Sequence, residues 1–204
     1  MFRRSPYVDH VSQRAEQKAE SRGAILRAAA GLLRDKGITG MSVERAMAGA
    51  RLTVGAFYSH FAGKSELLEE SFTLALDEND EVMREGVAGR TGRSALRDVA
   101  SYYLSEEHRD RAKQGCPMPA VAASAIPLGG RPLYRLVARG LETLVERIYK
   151  VGDGDITNER ALALAVLMVG GQILARATRG SPMSSRVLLA CKDAAEALLA
   201  NDRA

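Results

Sequence analysis

Apolar residues recur along most of the chain at intervals of three and four positions, the spacing that gives a helix one buried face. The clearest example is "RPLYRLVARGLETLVERIYKV", residues 131–151, in which the apolar positions form one stripe and Pro132 suits the first turn. Alternation with a period of two never persists for five residues between turn signals. The pattern therefore predicts an all-α fold of about nine helices.

The first third of the chain has the order of elements of a helix-turn-helix. An amphipathic helix in "GAILRAAAGLLRDKG" is expected to end at Gly37, and Ser42 and Thr53 can each cap a following short helix. Only Arg51 and Leu52 separate the two short helices. A longer helix followed by two short ones joined by a tight turn predicts a DNA-binding module of three helices.

The last third contains a helix that is apolar almost all round, "NERALALAVLMVGGQILARAT", residues 158–178. Because one core face does not need so many apolar positions, and Gly170–Gly171 would allow close approach, we expect this helix and residues 184–200 to form a four-helix dimer interface. The alternative is a single central core helix. Its apolar run, flanked by Arg160 and Arg176, is shorter than a bilayer span, so no membrane is expected.

Charge is unevenly distributed along the 204 residues. Residues 1–64 contain 11 Lys or Arg against 5 Asp or Glu, whereas the remaining residues contain 18 against 20. This asymmetry suggests that a polyanion meets the N-terminal third. The polar N-terminus has no secretory signal and the two cysteines give no disulfide framework, so we expect a cytoplasmic protein.

The segment "LTVGAFYSHFAGKSELLEES" ends in Gly63-Lys64-Ser65, which resembles part of a phosphate-binding loop. That loop also requires a glycine at the position of Tyr58 and a preceding strand, and both are missing. The three histidines, His10, His60 and His108, have no second metal ligand at helical spacing. We therefore expect no metal, no cofactor and no enzyme activity.

Residues 25–72, "ILRAAAGLLRDKGITGMSVERAMAGARLTVGAFYSHFAGKSELLEESF", resemble the DNA-binding domain of the TetR/AcrR family of transcriptional regulators, most specifically in "FYSHFAGKSELL". The resemblance implies a DNA-binding domain over residues 1–66 and a ligand-binding and dimerisation domain over residues 67–204. It further implies a homodimeric repressor that binds a pseudo-palindromic operator and is released by a small molecule. "YYLSEEHRD" and "GCPMPAVAASA" resemble one branch of the family.

The chain departs from the family pattern in the helix-turn-helix. Arg51 stands where the family usually has glycine, so a positive φ there would strain the backbone. Ala46 and Met47 reverse the usual order of a large and a small residue. Phe57 and Phe61 are expected to be buried, with Tyr58 and His60 facing outward. The predicted DNA-contacting residues are Arg45, Thr53, Val54, Gly55, Ala56, Tyr58, Ser59, His60 and Lys64, with Val54 and Ala56 standing where the family often has polar groups.

Aromatic residues and methionines of the second domain are candidates for an effector pocket, because they make adaptable linings. They are Tyr102, Tyr103, Cys116, Met118, Tyr134 and Met168. The absence of an evident buried charge favours an uncharged, apolar or aromatic effector. Cys116 could instead sense an electrophile, although nothing near it in sequence indicates a lowered pKa. An all-helical small-molecule-binding protein or enzyme without DNA function is the alternative, and a helical protein adaptor is a third.

Overall fold

The computed structural model describes residues 6–200, with side chains from residue 13 onward. Residues 1–5 of the predicted N-terminal arm and the side chain of His10 lie outside this part. Within it the chain forms helices without a strand, as the sequence predicts. The α-helices are α1 (Pro6–Gly40), α2 (Val43–Gly49), α3 (Lys64–Gly86), α4 (Gly92–Tyr103), α5 (Glu106–Asp110), α6 (Met118–Leu128), α7 (Arg131–Gly152), α8 (Asn158–Ala177) and α9 (Pro182–Ala200), and 3₁₀ helices cover Val54–Ser59 and Ala112–Gln114.

Helix α1 is kinked at Gly37, which has φ +64°, and one further turn follows the kink. A Cβ atom on Gly37 would lie only 2.4 Å from the Ala120 carbonyl oxygen of α6. Next to the kink, the backbone N–H of Ile38 donates a hydrogen bond to Ser124 Oγ at 2.9 Å. The predicted stop at Gly37 is thus a bend that brings α1 into close contact with α6.

We call α1 from residue 22, α2, the 3₁₀ helix Val54–Ser59 and the first turns of α3 the head. Its core contains Ile25, Leu33, Phe57 and Leu67, all at most 1% exposed. Ala46 and Met47 are both fully buried, so their reversed order is accommodated within the core. Helix α3 continues without a break from Lys64 to Gly86, through the predicted boundary between residues 66 and 67.

The remaining helices, which we call the body, pack around α8. This helix packs against α7 and α9, and α4 packs against the same two helices. Gly171 permits the close approach of α9, since a Cβ there would lie 2.9 Å from Cys191 Sγ. Leu162, Val166 and Leu174, on the other side of α8, are 44–57% exposed. The excess of apolar residues predicted for this helix thus forms an uncovered stripe.

By length and composition alone, α8 is apolar enough to cross a membrane. This corrects the expectation that no segment of the chain reaches the necessary length. In the structure one face of α8 is buried among α7, α9 and α4. Packing within the body therefore explains the apolar residues of this buried face but not the exposed stripe.

Candidate DNA-binding surface

A tight turn connects α2 to the 3₁₀ helix. Ser42 caps α2, with its side chain accepting from the backbone N–H of Arg45. At the other end, the N–H of Arg51 donates to the Ala48 carbonyl at 3.0 Å and that of Leu52 to the Met47 carbonyl at 2.9 Å. This pair of bonds is the Schellman motif, whose left-handed residue is usually glycine. Here Arg51 occupies that position with φ +59°, so the strain expected from the sequence is present.

The second short helix of the module, Val54–Ser59, is 3₁₀ rather than α-helical. Phe57 is 1% exposed and Phe61 2%, and their rings stack with centroids 5.6 Å apart. Tyr58, between them in sequence, is 77% exposed. The buried state expected for the two phenylalanines is confirmed. Their packing holds the segment against the head and leaves Tyr58 directed outward.

The structure places the nine predicted DNA-contacting residues on and around this segment. His60 is only half-exposed, and its Nδ1 atom is buried without a hydrogen-bond partner. The outward orientation expected for the whole ring therefore needs correction, since the residue lies close to the buried Phe57 and Phe61. Ala56 is likewise half-buried, and the exposed members are Arg45, Thr53, Val54, Gly55, Tyr58, Ser59 and Lys64.

The polar groups of this surface differ in how many hydrogen bonds they have already formed. Ser59 Oγ donates to the Ala56 carbonyl at 2.7 Å, and Arg45 Nη1 donates to the Gly40 carbonyl at 3.0 Å. The Thr53 hydroxyl forms no capping bond and is exposed. Thr53 therefore has its full hydrogen-bonding capacity available to a partner.

Lys64 is exposed at the first position of α3, where the helix N-terminus also favours an anion. Glu44 competes for the Lys64 charge. The pKa of Glu44 is lowered, first by a hydrogen bond from its own backbone, then by the Ser42 hydroxyl, and finally by Lys64. Because Glu44 is fully exposed, solvent screens this competition.

Arg22, which the sequence patterns do not single out, fixes the far end of the 3₁₀ helix. Its Nε donates to the His60 carbonyl at 3.3 Å, and its terminal nitrogens bind Glu66 at 3.1 Å and Glu70 at 2.5 Å. Its guanidinium carbon also lies 4.5 Å from the centre of the Phe61 ring. The only signal for this role of Arg22 in the sequence is the four-residue spacing of Glu66 and Glu70 on α3. This spacing places two carboxylates on one face of the helix, where a single cation can pair with both.

Comparison with known proteins agrees with this geometry. The family model described as "Bacterial regulatory proteins, tetR family" matches residues 25–71, which include α2, the 3₁₀ helix and the start of α3. Residues 25–71 thus carry a DNA-binding module of the kind that this family model describes. A search of curated proteins gives no match.

Solved structures of TetR-family regulators share the fold of nearly the whole chain. A regulator from Cytophaga hutchinsonii is 21% identical with a TM-score of 0.68, covering 90% of this chain and 95% of its own. One from Chloroflexus aurantiacus is 22% identical with a TM-score of 0.65, covering 90% and 94%. The reduced form of NemR from Escherichia coli is 16% identical with a TM-score of 0.63, covering 85% and 95%. These likenesses show that nearly the whole chain shares the fold of the matched proteins.

The six residues predicted for an effector pocket do not line one cavity in the body. Tyr103, Cys116, Met118 and Met168 are buried in the core, whereas Tyr102 and Tyr134 are 39% and 54% exposed. Tyr102 borders a cleft of about 250 Å³ between α3 and α4. A larger groove of about 560 Å³ lies between α3 and α7, and Phe72 and Gly140 help to line it.

The structure also bears on two expectations about the body, namely that Cys116 could sense an electrophile and that the effector site lacks buried charge. Burial raises the pKa of the Cys116 thiol, so the structure gives no sign of an activated thiolate. The premise of an effector site without buried charge is wrong. Arg34 is 7% exposed and pairs with Glu78 at 2.6 Å, and the Nε atom of Arg176 is buried.

Proposed function

We propose that the protein is a ligand-responsive transcriptional repressor that binds a pseudo-palindromic operator as a homodimer and is released by a small-molecule effector. The observation that carries this proposal is the position of Tyr58, 77% exposed on a segment that Phe57 and Phe61 anchor in the head. Lys64 begins the next helix. Together these groups give a rigid surface that combines a phenol, a cation and small residues.

Tyr58 and Lys64 are assigned to phosphate contacts, which position a protein on DNA without reading its sequence. The small exposed residue Gly55 lets the backbone approach a groove. Val54, 45% exposed, offers an apolar contact suited to a thymine methyl group. Base recognition by polar groups is assigned to Ser59, Thr53 and Arg45, of which only Thr53 is free of an intramolecular side-chain bond.

Dimerisation is assigned to α8 and α9. The exposed stripe of Leu162, Val166 and Leu174 has a spacing of four or eight residues, and Gly170 lies within it without a close neighbour. Leu189 of α9 is 60% exposed. A stripe of this kind costs free energy in water, and a second copy of the chain offers a matching surface.

The test measures fluorescence anisotropy with duplex DNA from the region flanking the protein's own gene. We expect Tyr58→Ala and Lys64→Ala each to weaken binding about tenfold for all sequences, with Lys64→Ala reducing the salt slope by about one. The matched control is the pair Tyr149→Ala and Lys150→Ala, two exposed residues on α7 of the body. Unchanged binding in the head variants would refute the assigned contacts. A wild-type protein that binds small molecules but no DNA would favour the DNA-independent alternative.

A further inference from the structure

A group of buried polar side chains, which we call the α8 polar cluster, lies where α8 meets α4, α5 and the start of α6. It consists of Tyr103, His108, Gln172 and Arg176. The first three are at most 1% exposed. Each of the four has a buried side-chain atom without a hydrogen-bond partner, namely Tyr103 Oη, His108 Nδ1, Gln172 Oε1 and Arg176 Nε. Buried polar atoms are rarely left in this state.

Existing hydrogen bonds determine which of these atoms are donors. His108 Nε2 accepts the backbone N–H of Cys116 at 3.2 Å, so the imidazole proton lies on Nδ1. Gln172 Nε2 donates to the Tyr103 carbonyl at 2.5 Å and to that of Ser105 at 3.3 Å, which leaves its oxygen unused. Arg176 Nη2 donates to the His108 carbonyl at 3.2 Å. The Nε–H of Arg176 is therefore an unused donor, whereas the Nδ1–H of His108 has the Tyr103 carbonyl as a weak acceptor outside normal hydrogen-bond geometry.

The cluster also has an uncompensated positive charge. No carboxylate of the described residues lies within ion-pair distance of Arg176, whereas Arg22, Arg34 and Arg147 each pair with a carboxylate of α3. Burial lowers the pKa of Arg176, and burial together with the Arg176 charge lowers the pKa of His108 to about 3, so the imidazole is neutral. An unpaired, partly buried guanidinium is costly unless a partner arrives.

Arg176 also borders a groove of about 430 Å³ between α1, α6 and α8. Its walls include Pro119, Ala120 and Ile173, and Asp35 and Lys36 of α1 lie at the side that belongs to the head. Asp35 is engaged at 3.9 Å by Lys113 rather than by Arg176. The groove thus combines apolar walls with two cations, Lys36 and Arg176, and one carboxylate, Asp35, which pairs with neither of them among the described residues.

We propose that this groove binds a small organic carboxylate whose anionic group pairs with Arg176 and whose apolar part packs on Pro119, Ala120 and Ile173. The sequence led us to expect an uncharged, apolar or aromatic effector. The proposed site would instead bind an anionic one. Its role as the effector site rests on the proposed function. The position of the groove suits that role, because the ligand would contact α1 of the head and α8 of the body together.

Binding is tested on the full chain without DNA, by thermal shift and isothermal titration. The probes are benzoate, phenylacetate and octanoate, each compared with its primary amide. We expect a carboxylate to raise the Tm by several degrees more than its amide, and Arg176→Met to weaken its binding at least tenfold. Arg176→Lys keeps the charge and should lose less affinity. Arg179→Met is the control, since Arg179 is exposed near the end of α8 and paired with Asp110 at 3.1 Å.

The proposal is overturned if all three carboxylates and their amides shift the Tm equally, as expected if water fills the cluster. It is equally overturned if a carboxylate binds wild type and Arg176→Met with the same Kd. If Arg176→Met does not fold, Arg176→Gln, which also removes the charge, supplies the same comparison. The double variant of Tyr58→Ala and Lys64→Ala should still bind the carboxylate, so failure of this site is distinguishable from failure of DNA binding.

Discussion

The guanidinium of Arg22 lies 4.5 Å from the centre of the Phe61 ring while its Nε donates to the carbonyl of His60. One side chain thus contacts the start of the turn that follows the DNA-facing segment, and its ion pairs with Glu66 and Glu70 connect that turn to α3. Arg22→Ala is expected to destabilise the protein by about 2 kcal/mol, because charge-assisted bonds and a cation–π contact are lost together. It should also weaken DNA binding, since the segment loses its anchor. Urea denaturation and anisotropy measure the two effects.

Arg27→Ala is the control for stability, because Arg27 is exposed on the same helix. The pH dependence gives a second check. The hydrogen bond from Arg22 is the main cause of the lowered pKa of Glu70. Stabilisation by this pair is therefore present above pH 4.5 and is lost as the pH falls through the lowered value. If Arg22→Ala left both stability and its acid dependence unchanged, the anchoring role would be wrong.

Replacing Arg51 should separate backbone strain from DNA contact. An L-residue in the left-handed region costs about 1–2 kcal/mol, and glycine removes most of this cost. Arg51→Gly is thus expected to raise the free energy of unfolding by about 1 kcal/mol, whereas Arg51→Ala keeps the strain and should not. Both variants remove an exposed cation from the turn before the 3₁₀ helix and should lower DNA affinity equally. Equal stability of the two variants in urea would contradict the strain.

Much of the head follows from local patterns, and the rest depends on contacts distant in sequence. Ser42 and the pair Phe57 and Phe61 are readable because caps and four-residue spacings are local. The contacts of Arg22 join residues 38 to 48 positions apart, so no local pattern predicts them. The 3₁₀ form of Val54–Ser59 likewise depends on how the segment packs on the head.

The body was less predictable at the level of individual side chains. Helical periodicity indicates which residues face inward in each helix, but it does not indicate which helices face each other. Tyr102 and Tyr103 illustrate the limit, because these neighbours both lie next to the His108 ring and yet only Tyr103 is buried. The roles of His108 and Gln172 depend on tertiary contacts that no local pattern predicts. His108 contacts Arg176 of α8 and the loop before α6, and Gln172 of α8 contacts the end of α4.

His108 should make stability depend on pH in a range where carboxylates contribute little. Its pKa falls from 6.5 to about 3 on folding, mainly through burial and then through Arg176. The unfolded chain therefore binds a proton that the folded chain does not, and stability falls as the pH decreases below 6.5. We expect a loss of about 2 kcal/mol between pH 7.5 and pH 5.

Denaturation at a series of pH values measures this loss. His108→Gln retains an acceptor for the Cys116 N–H and should flatten the slope between pH 7.5 and pH 5. Cys191→Ser, on α9 and away from the imidazole, should keep it. A His108→Gln profile parallel to that of wild type would show that another group titrates in this range.

The proposed dimer interface is tested by placing a charge in the exposed stripe of α8. Val166 is 55% exposed in the single chain, so Val166→Glu should leave the fold intact while a buried carboxylate disfavours association. Light scattering after size-exclusion chromatography should change from a dimeric to a monomeric mass. Ile126→Glu, at a position 76% exposed on α6, should remain dimeric. A dimeric Val166→Glu protein would place the interface elsewhere.

The unbroken course of α3 has a consequence for exchanging parts between regulators of this architecture. Leu67, Leu68 and Phe72 belong to the same buried cluster as the head core, although they follow the predicted boundary at residue 66. A chimera joined at that boundary would pack most of α3 from one protein against the head core of another. Apolar side chains that do not fit each other would then be left partly exposed. A crossover in the loop after Gly86 would transfer α3 intact together with the head. The body of the other protein would then have to supply an acceptor in place of Ser124 for the backbone N–H of Ile38. The place at which this chain can be recombined is therefore set by the continuity of α3 and by the Ile38–Ser124 hydrogen bond, and not by the end of the helix-turn-helix motif.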